Sequence, residues 1–127
     1  MEEMNINELV KEVYANAQAK GWYDNGKAQN IGERIALIHS EVSEALEADR
    51  NDKYVKYDMM VSDIDSDEFF KDTFERFVKD TFEDEMADIV IRVMDMCALK
   101  NIDLESHIIA KMRYNSLRSI QHGGKKY

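Results

Sequence analysis

Positions 31–50 read IGERIALIHSEVSEALEADR, and this stretch decides the fold. Its apolar residues recur at spacings of three and four, which predicts a helix with one apolar seam. The members of that seam are Ile31, Ile35, Ile38, Val42 and Ala45 or Leu46. Glu41 and Glu44 border the seam and point the same way, because residues three apart share a helical face. Since a carboxylate beside a packed face is costly without a counter-charge, the pair indicates a functional site.

A second acidic pair, Glu85 and Asp88, has the same spacing on another apolar stretch, at 82–99. If the two helices pack side by side, four carboxylates converge and repel one another unless a cation holds them together. A single pair is weak evidence, because Asp72 and Glu75 show the same spacing in this acidic chain. For Asp88 the structural alternative is an ordinary helical ion pair with Arg92, four residues further on.

The remainder of the chain also has helical features, and it contains no proline. We expect a first helix from an N-cap at Asn7 to a C′ residue at Gly21, a helix with five phenylalanines after Ser66, and a last helix after Asp103. The phenylalanines trace an aromatic stripe, and the last helix is expected to turn Ile108, Ile109, Met112 and Leu117 inward. These patterns predict an all-α fold, an antiparallel bundle of about five helices.

Bulk properties limit the class of protein. The 127 residues predict a single domain, 1–127, in which 51–65 is the least regular segment. No apolar run approaches the roughly 18 residues of a spanning helix, and the start lacks the features of a secretory signal. With one cysteine, Cys97, we expect a cytoplasmic protein without a membrane partner. The net charge of −9 argues against binding to duplex nucleic acid.

The residue types around the acidic pairs favour one kind of ion. Carboxylate oxygens without cysteine or histidine at ligand spacing suit Mg²⁺, with Mn²⁺ as a substitute, better than zinc. A di-iron site would need Glu-x-x-His pairs, and the sequence has none. After Glu105 the chain carries no acid, and Lys111, Asn115 and Arg118 share a helical face, which suits an anionic ligand that brings a divalent metal. Solvated helix faces are the alternative.

Trp22 is the only tryptophan and lies in a stretch rich in turn residues, at 21–26. A tryptophan beside a helix end often anchors packing, but its flat ring also offers a surface on which a nucleobase stacks. Both interpretations stay open from the sequence.

Three segments, 35–47, 85–93 and 111–118, together resemble the MazG-like all-α nucleoside triphosphate pyrophosphohydrolases. The resemblance implies a bundle that assembles as a homodimer or homotetramer and cleaves a nucleoside triphosphate to the monophosphate and pyrophosphate with Mg²⁺. It also implies metal ligands, namely Glu41, Glu44, Glu85 and Asp88, and phosphate contacts, namely Lys111, Asn115 and Arg118. Glu41 or Glu44 would activate the attacking water, and Lys111 would stabilise the leaving group.

The chain departs from that family's pattern in two places. Ser40 stands where many members carry a further glutamate, and the segment 51–79 is longer than the connection expected there. The alternative function is therefore a catalytically inactive nucleotide-binding, regulatory or scaffold protein of the same fold.

Overall fold

The computed structural model describes residues 4–23, 30–56 and 63–118. These residues form helices and no strand, so the predicted all-α class is confirmed for the described part of the chain. The elements, in order, are α1 (Ile6–Ala19), α2 (Ile31–Arg50), α3 (Asp67–Phe77), α4 (Phe82–Leu99) and α5 (Leu104–Ser116). None of these helices combines the length and apolar character that crossing a membrane requires.

Side-chain caps set the helix ends. Ser66 accepts a hydrogen bond from the Phe69 N–H at 3.3 Å, and Asp103 accepts one from the Ser106 N–H at 3.1 Å, so the predicted starts of α3 and α5 are confirmed. Gly21, with φ of 80°, follows the C-cap of α1 as predicted. Left-handed backbone there costs a glycine little.

The start of α1 differs from the prediction. Asn5, two residues earlier than expected, is the N-cap, and its side chain accepts from the Glu8 N–H at 2.8 Å. Asn7 instead bonds across to the last helix: it donates to Asp103 Oδ1 at 2.9 Å and accepts from the Glu105 N–H at 3.3 Å. Asn7 therefore fastens α1 to the beginning of α5.

The fourth helix, α4, is the centre of the structure, because α2 and α1 both pack against it, whereas α5 contacts α1. The helices α2 and α4 are antiparallel: Arg34 pairs with Asp95 near one end, and Glu41 pairs with Arg92 further along. Few apolar side chains are buried, and among the described residues they are Val10, Ala17, Ala45, Ala48 and Met94. Polar pairs therefore occupy much of the contact between α2 and α4.

The apolar seam predicted for α2 is wrong in part. Ala45 is buried, but Ile35, Val42 and Leu46 are between 44% and 50% exposed. The packed face keeps Ile31, Ile38 and Ala45 of the predicted seam but is turned by roughly 60° around the helix. Its other members are Arg34, Glu41 and Ala48. The two ion pairs with α4 explain this rotation, because each turns a charged residue of α2 toward the partner helix.

Two further apolar predictions have mixed outcomes. On α5, Ile109, Met112 and Leu117 were expected to point inward but are 62% to 77% exposed, because the main contact of this helix among the described residues is a small one with α1. On α3, Phe70 and Phe74 are half-buried with ring centroids 5.8 Å apart, whereas Phe77 is exposed. The aromatic stripe therefore exists but is only partly covered.

Candidate metal centre

The antiparallel pairing of α2 and α4 brings the two predicted acidic pairs together. Carboxylate oxygens of Glu41, Glu85 and Asp88 all lie within 4.8 Å of one another. Glu44 is exposed at the edge of this group, and its carboxyl is hydrogen-bonded to those of Glu41 and Glu85. All four carboxyl groups predicted as metal ligands thus form one cluster, which we call the carboxylate cluster.

Glu85 is the most buried member of the carboxylate cluster, at 6% exposure. Its Oε2 is buried and has no hydrogen-bond partner. Burial, followed by the hydrogen bond with Glu41 and the charge of Glu44, raises the pKa of Glu85 to about 7. A buried oxygen without a donor, surrounded by other acids, is a position that a cation would satisfy.

The pKa values of the other three carboxyl groups are also shifted, and the neighbouring groups explain each shift. Burial, and then the charge of Asp84, raise the pKa of Asp88. The hydrogen bond with Glu41 raises the pKa of Glu44. Burial acts against ionisation of Glu41 as well, but hydrogen bonds from Glu44 and Arg92 outweigh it and lower its pKa. Glu41 is therefore the member most readily ionised.

Arg92 has a role that the sequence did not reveal. Its Nε donates to Glu41 Oε1 at 2.9 Å, across the interface between α4 and α2, in place of the intrahelical pair with Asp88 considered above. The spacing along the chain does indicate that Arg92 faces α2, because Arg92 lies seven residues after Glu85 and so shares its helical face. Arg92 balances one charge of the carboxylate cluster and leaves Asp88 available to a ligand.

A second acidic group, formed by Asp80, Asp84 and Glu85, lies at the N-terminus of α4. Asp84 Oδ2 accepts from the Asp80 N–H at 2.9 Å, and Thr81 Oγ1 accepts from the Asp84 N–H at 3.3 Å. Thr81 is the N-cap of α4, and Asp84 holds the residue before it, so both bonds secure the start of the helix. The second group therefore has a structural explanation that the carboxylate cluster lacks.

The predicted phosphate contacts lie on α5. Lys111, Asn115 and Arg118 are all exposed. Lys111 Nζ lies 5.1 Å and Arg118 Cζ lies 5.8 Å from the centroid of the Tyr114 ring. Among the described residues, no hydrogen bond or ion pair joins Lys111, Asn115 or Arg118 to the carboxylate cluster. Their phosphate-binding role stays a prediction from the resemblance.

Trp22 lies next to the carboxylate cluster. Its ring centroid is 6.0 Å from Arg92 Cζ, and the ring is half exposed. It lines a cleft of about 390 Å³ between α2 and α4, together with Arg34, Leu37 and Arg92. Arg92 therefore contacts both Glu41 of the carboxylate cluster and the wall of this cleft.

Behind Trp22 lies a buried polar group that sequence reasoning missed. Asp95, 3% exposed, accepts at Oδ2 from the Tyr23 hydroxyl at 2.6 Å and from Arg34 at 3.3 Å. Burial and the hydrogen bond to Asp95 raise the pKa of Tyr23. The only signal in the sequence was that Asp95 lies seven residues after Asp88, on the same helical face.

The raised pKa of Glu85 predicts how the stability of the metal-free protein depends on pH. Because the folded protein holds this proton up to about pH 7, against 4.5 for an ordinary glutamate, the resulting stability is complete below pH 4.5 and is lost as pH rises through 7. We expect this group to lower the free energy of unfolding by on the order of 2–3 kcal/mol between pH 5 and 8.

Thermal unfolding in the presence of a chelator, at a series of pH values, measures this effect. Mg²⁺ should restore stability at pH 8 and have little effect at pH 5, where the proton occupies Glu85. A melting temperature that rises steadily from pH 5 to 8 without metal would contradict the expected proton uptake.

No family model matches the chain, and no curated protein or solved structure matches it either. Function must therefore be inferred from the carboxylate cluster and its surroundings.

Proposed function

We propose that the protein is a magnesium-dependent pyrophosphohydrolase that converts a nucleoside triphosphate, or its deoxy form, to the monophosphate and pyrophosphate. The observation that carries the proposal is the carboxylate cluster, in which Glu85 keeps a buried oxygen without a partner beside three other acids. Such an arrangement is unfavourable for folding alone, because the acids repel one another and Glu85 is desolvated. A site that recruits a cation together with a polyphosphate accounts for its presence.

The donor set fits a hard divalent cation, because every member offers carboxylate oxygen. When bound, Mg²⁺, or Mn²⁺ in its place, would be held by Glu41, Glu44, Glu85 and Asp88, and would neutralise phosphate charge and lower the pKa of a bound water. The orphaned Oε2 of Glu85 is the feature of these residues that supports this assignment.

The reaction needs a base for the attacking water. The water oxygen attacks the α-phosphorus in line, its proton passes to a carboxylate, and the bond from the α-phosphorus to the bridging oxygen breaks to release pyrophosphate. Glu44 suits this role better than Glu41, because Glu44 is exposed to water, whereas Arg92 occupies Glu41. Lys111, Asn115 and Arg118 are proposed to bind the phosphates, and Lys111 to stabilise the leaving group.

We also propose that the protein works in the cytoplasm as a homodimer or homotetramer. Free Cys97, half-buried on α4, suits a reducing compartment. Exposed apolar side chains on neighbouring faces of α2 and α4 support self-association, namely Ile35, Val42, Leu46, Met86 and Val90. Sedimentation at micromolar concentration should show an oligomer, and a monomer would count against this part of the proposal.

The test of the activity is a panel of canonical and modified nucleoside triphosphates incubated with the purified protein and Mg²⁺. We expect pyrophosphate and monophosphate in equal amounts from at least one substrate, and neither product when a chelator replaces the metal. Release of inorganic phosphate would indicate a different cleavage site. Binding of triphosphates without any product would favour the nucleotide-binding or scaffold protein instead.

A further inference from the structure

The carboxylate of Asp95 is incompletely satisfied. Both partners of this buried group, Tyr23 and Arg34, contact Oδ2, whereas Oδ1 is buried and has no hydrogen-bond partner. A buried charged oxygen without a donor costs free energy, so its retention calls for an explanation. The bonds to Tyr23 and Arg34 explain why an acid is at position 95, but they leave Oδ1 unexplained.

Asp95 lines a small apolar cleft between α1 and α4. The cleft has a volume of about 180 Å³, and its apolar walls include Val13, Ala17, Trp22 and Ile91. Pockets for whole drug-sized ligands are larger, about 300–1,000 Å³. The size and the mostly apolar walls therefore suit one flat ring system, and Asn16, Lys20 and Asp95, which also line the cleft, offer polar groups to its edge.

This cleft is aligned with the carboxylate cluster. Asp88, Arg92 and Asp95 follow at spacings of four and three on one face of α4, and seven residues of helix span about 10 Å. Arg92, between the two ends, contacts Glu41 on one side and the Trp22 ring on the other. A nucleotide with its phosphates at the carboxylate cluster could therefore direct its base along α4 toward Trp22 and Asp95.

We propose that Asp95 Oδ1 accepts a hydrogen bond from the exocyclic amino group of a nucleobase that stacks on Trp22, and so selects amino-bearing bases. This inference rests on the proposed function, because it assigns the base to the same nucleotide. Cytosine N4 and adenine N6 are donors, and carboxylates read cytosine in this way. Uracil and hypoxanthine place a carbonyl oxygen at the same position, where it would repel the carboxylate.

Trp22 provides the means to measure this preference. It is the only tryptophan in the chain, and it lines the cleft. Because Oδ1 is covered in the free protein, the base reaches it only when side chains around the cleft shift, and Trp22 is one of the side chains that line the cleft. Tryptophan fluorescence should therefore respond directly to nucleotide binding, without any need for turnover.

The experiment titrates the full-length protein with CMP against UMP, and with AMP against IMP, while Trp22 fluorescence is recorded. Within each pair the exocyclic amino group is exchanged for a carbonyl oxygen, and the adjacent ring nitrogen, unprotonated in CMP and AMP, carries a hydrogen in UMP and IMP. We expect Kd to be about 10- to 100-fold lower for the amino-bearing member of each pair. Equal affinities within both pairs, or no binding that alters the fluorescence, would overturn the inference.

The variant Asp95→Asn separates recognition from a structural role. Its amide oxygen can still accept from Tyr23 and Arg34, while its NH₂ places a donor where Oδ1 was. We expect the preference to invert toward UMP and IMP. A purely structural Asp95 would change all four affinities by the same factor and would overturn the inference.

The variant Tyr23→Phe is the matched control. It removes one bond to Oδ2 and leaves Oδ1 in place, so the preference for amino-bearing bases should persist. If Asp95→Asn does not fold, Tyr23→Phe still tests the inference. Loss of the preference for amino-bearing bases in Tyr23→Phe would contradict the inference. Failure of the proposed function is distinguishable, because it appears as absence of pyrophosphate while base discrimination in binding remains.

Discussion

Replacing Glu85 by glutamine is expected to abolish measurable Mg²⁺ binding and to lower kcat/KM for the best triphosphate by about 10³-fold. The substitution keeps the shape of a side chain that is buried among carboxylates. It removes one ligand charge, and the amide that replaces the carboxyl group can donate to Glu41, with which Glu85 shares a hydrogen bond. Loss of a single charge-stabilising group in an active site commonly costs 10²–10³-fold in rate.

The same substitution should stabilise the metal-free protein, which sets it apart from ordinary core damage. At pH 8 a neutral amide avoids the desolvation and repulsion that raise the pKa of Glu85. We expect the free energy of unfolding to increase by about 1–2 kcal/mol at pH 8 and to change little at pH 5. Calorimetric titration with Mg²⁺, a pyrophosphate assay and thermal melts with chelator measure the three effects.

Glu75→Gln is the matched control for Glu85→Gln. Glu75 belongs to the exposed pair with Asp72, which has the same spacing as the pairs of the carboxylate cluster. The substitution Glu75→Gln should leave metal affinity, turnover and stability near the wild-type values. Unchanged Mg²⁺ affinity in Glu85→Gln, or a melting temperature well below that of the wild type at pH 8, would refute a metal-binding role for Glu85.

Replacing Arg92 by alanine is expected to destabilise the metal-free protein by about 2 kcal/mol at pH 8. The reason is that Glu41, whose side chain is largely buried, loses the guanidinium that donates to it at 2.9 Å. The pKa of Glu41 should rise as a result, because burial is then opposed by fewer favourable contacts. Truncation of one partner in a buried ion pair is costly for this reason.

The Arg92→Ala variant should also respond more strongly to Mg²⁺ than the wild type does. A divalent cation would replace the lost counter-charge, so the increase in melting temperature on adding Mg²⁺ should be larger in the variant. Arg76→Ala is the control, since Arg76 forms an exposed ion pair with Asp72 and its removal should cost under 1 kcal/mol. Melting curves of both variants with chelator and with Mg²⁺ give the comparison; similar losses in both would contradict a specific role for Arg92.

Much of the secondary structure could be predicted because its signals are local. Ser66 and Asp103 cap helices through bonds to residues three positions away, and Gly21 ends α1 through its own backbone freedom. The N-cap of α1, which is Asn5 in place of the predicted Asn7, shows the limit of predicting helix ends from local signals. Both asparagines are plausible caps, and the contact of Asn7 with Asp103 lies 96 residues away in the sequence.

The carboxylate cluster was also accessible from the sequence, whereas its surroundings were not. Spacing places Glu41 with Glu44 and Glu85 with Asp88, and the apolar stripes indicate that the two helices pack. The partner of Arg92 could not be obtained in the same way. Asp88 on the same helix and Glu41 on the other are both within reach of a long side chain, and local spacing favours Asp88.

The sequence by itself determined the five helices, most of their ends and the carboxylates of Glu41, Glu85 and Asp88 that meet between α2 and α4, with Glu44 at their edge. Only the tertiary structure decided which face of α2 is packed, which acid Arg92 neutralises and that Asp95 is buried with one oxygen unpaired. Periodicity states which residues share a helical face. It does not state how that face is turned toward its neighbour, because this rotation depends on ion pairs between residues far apart in the chain.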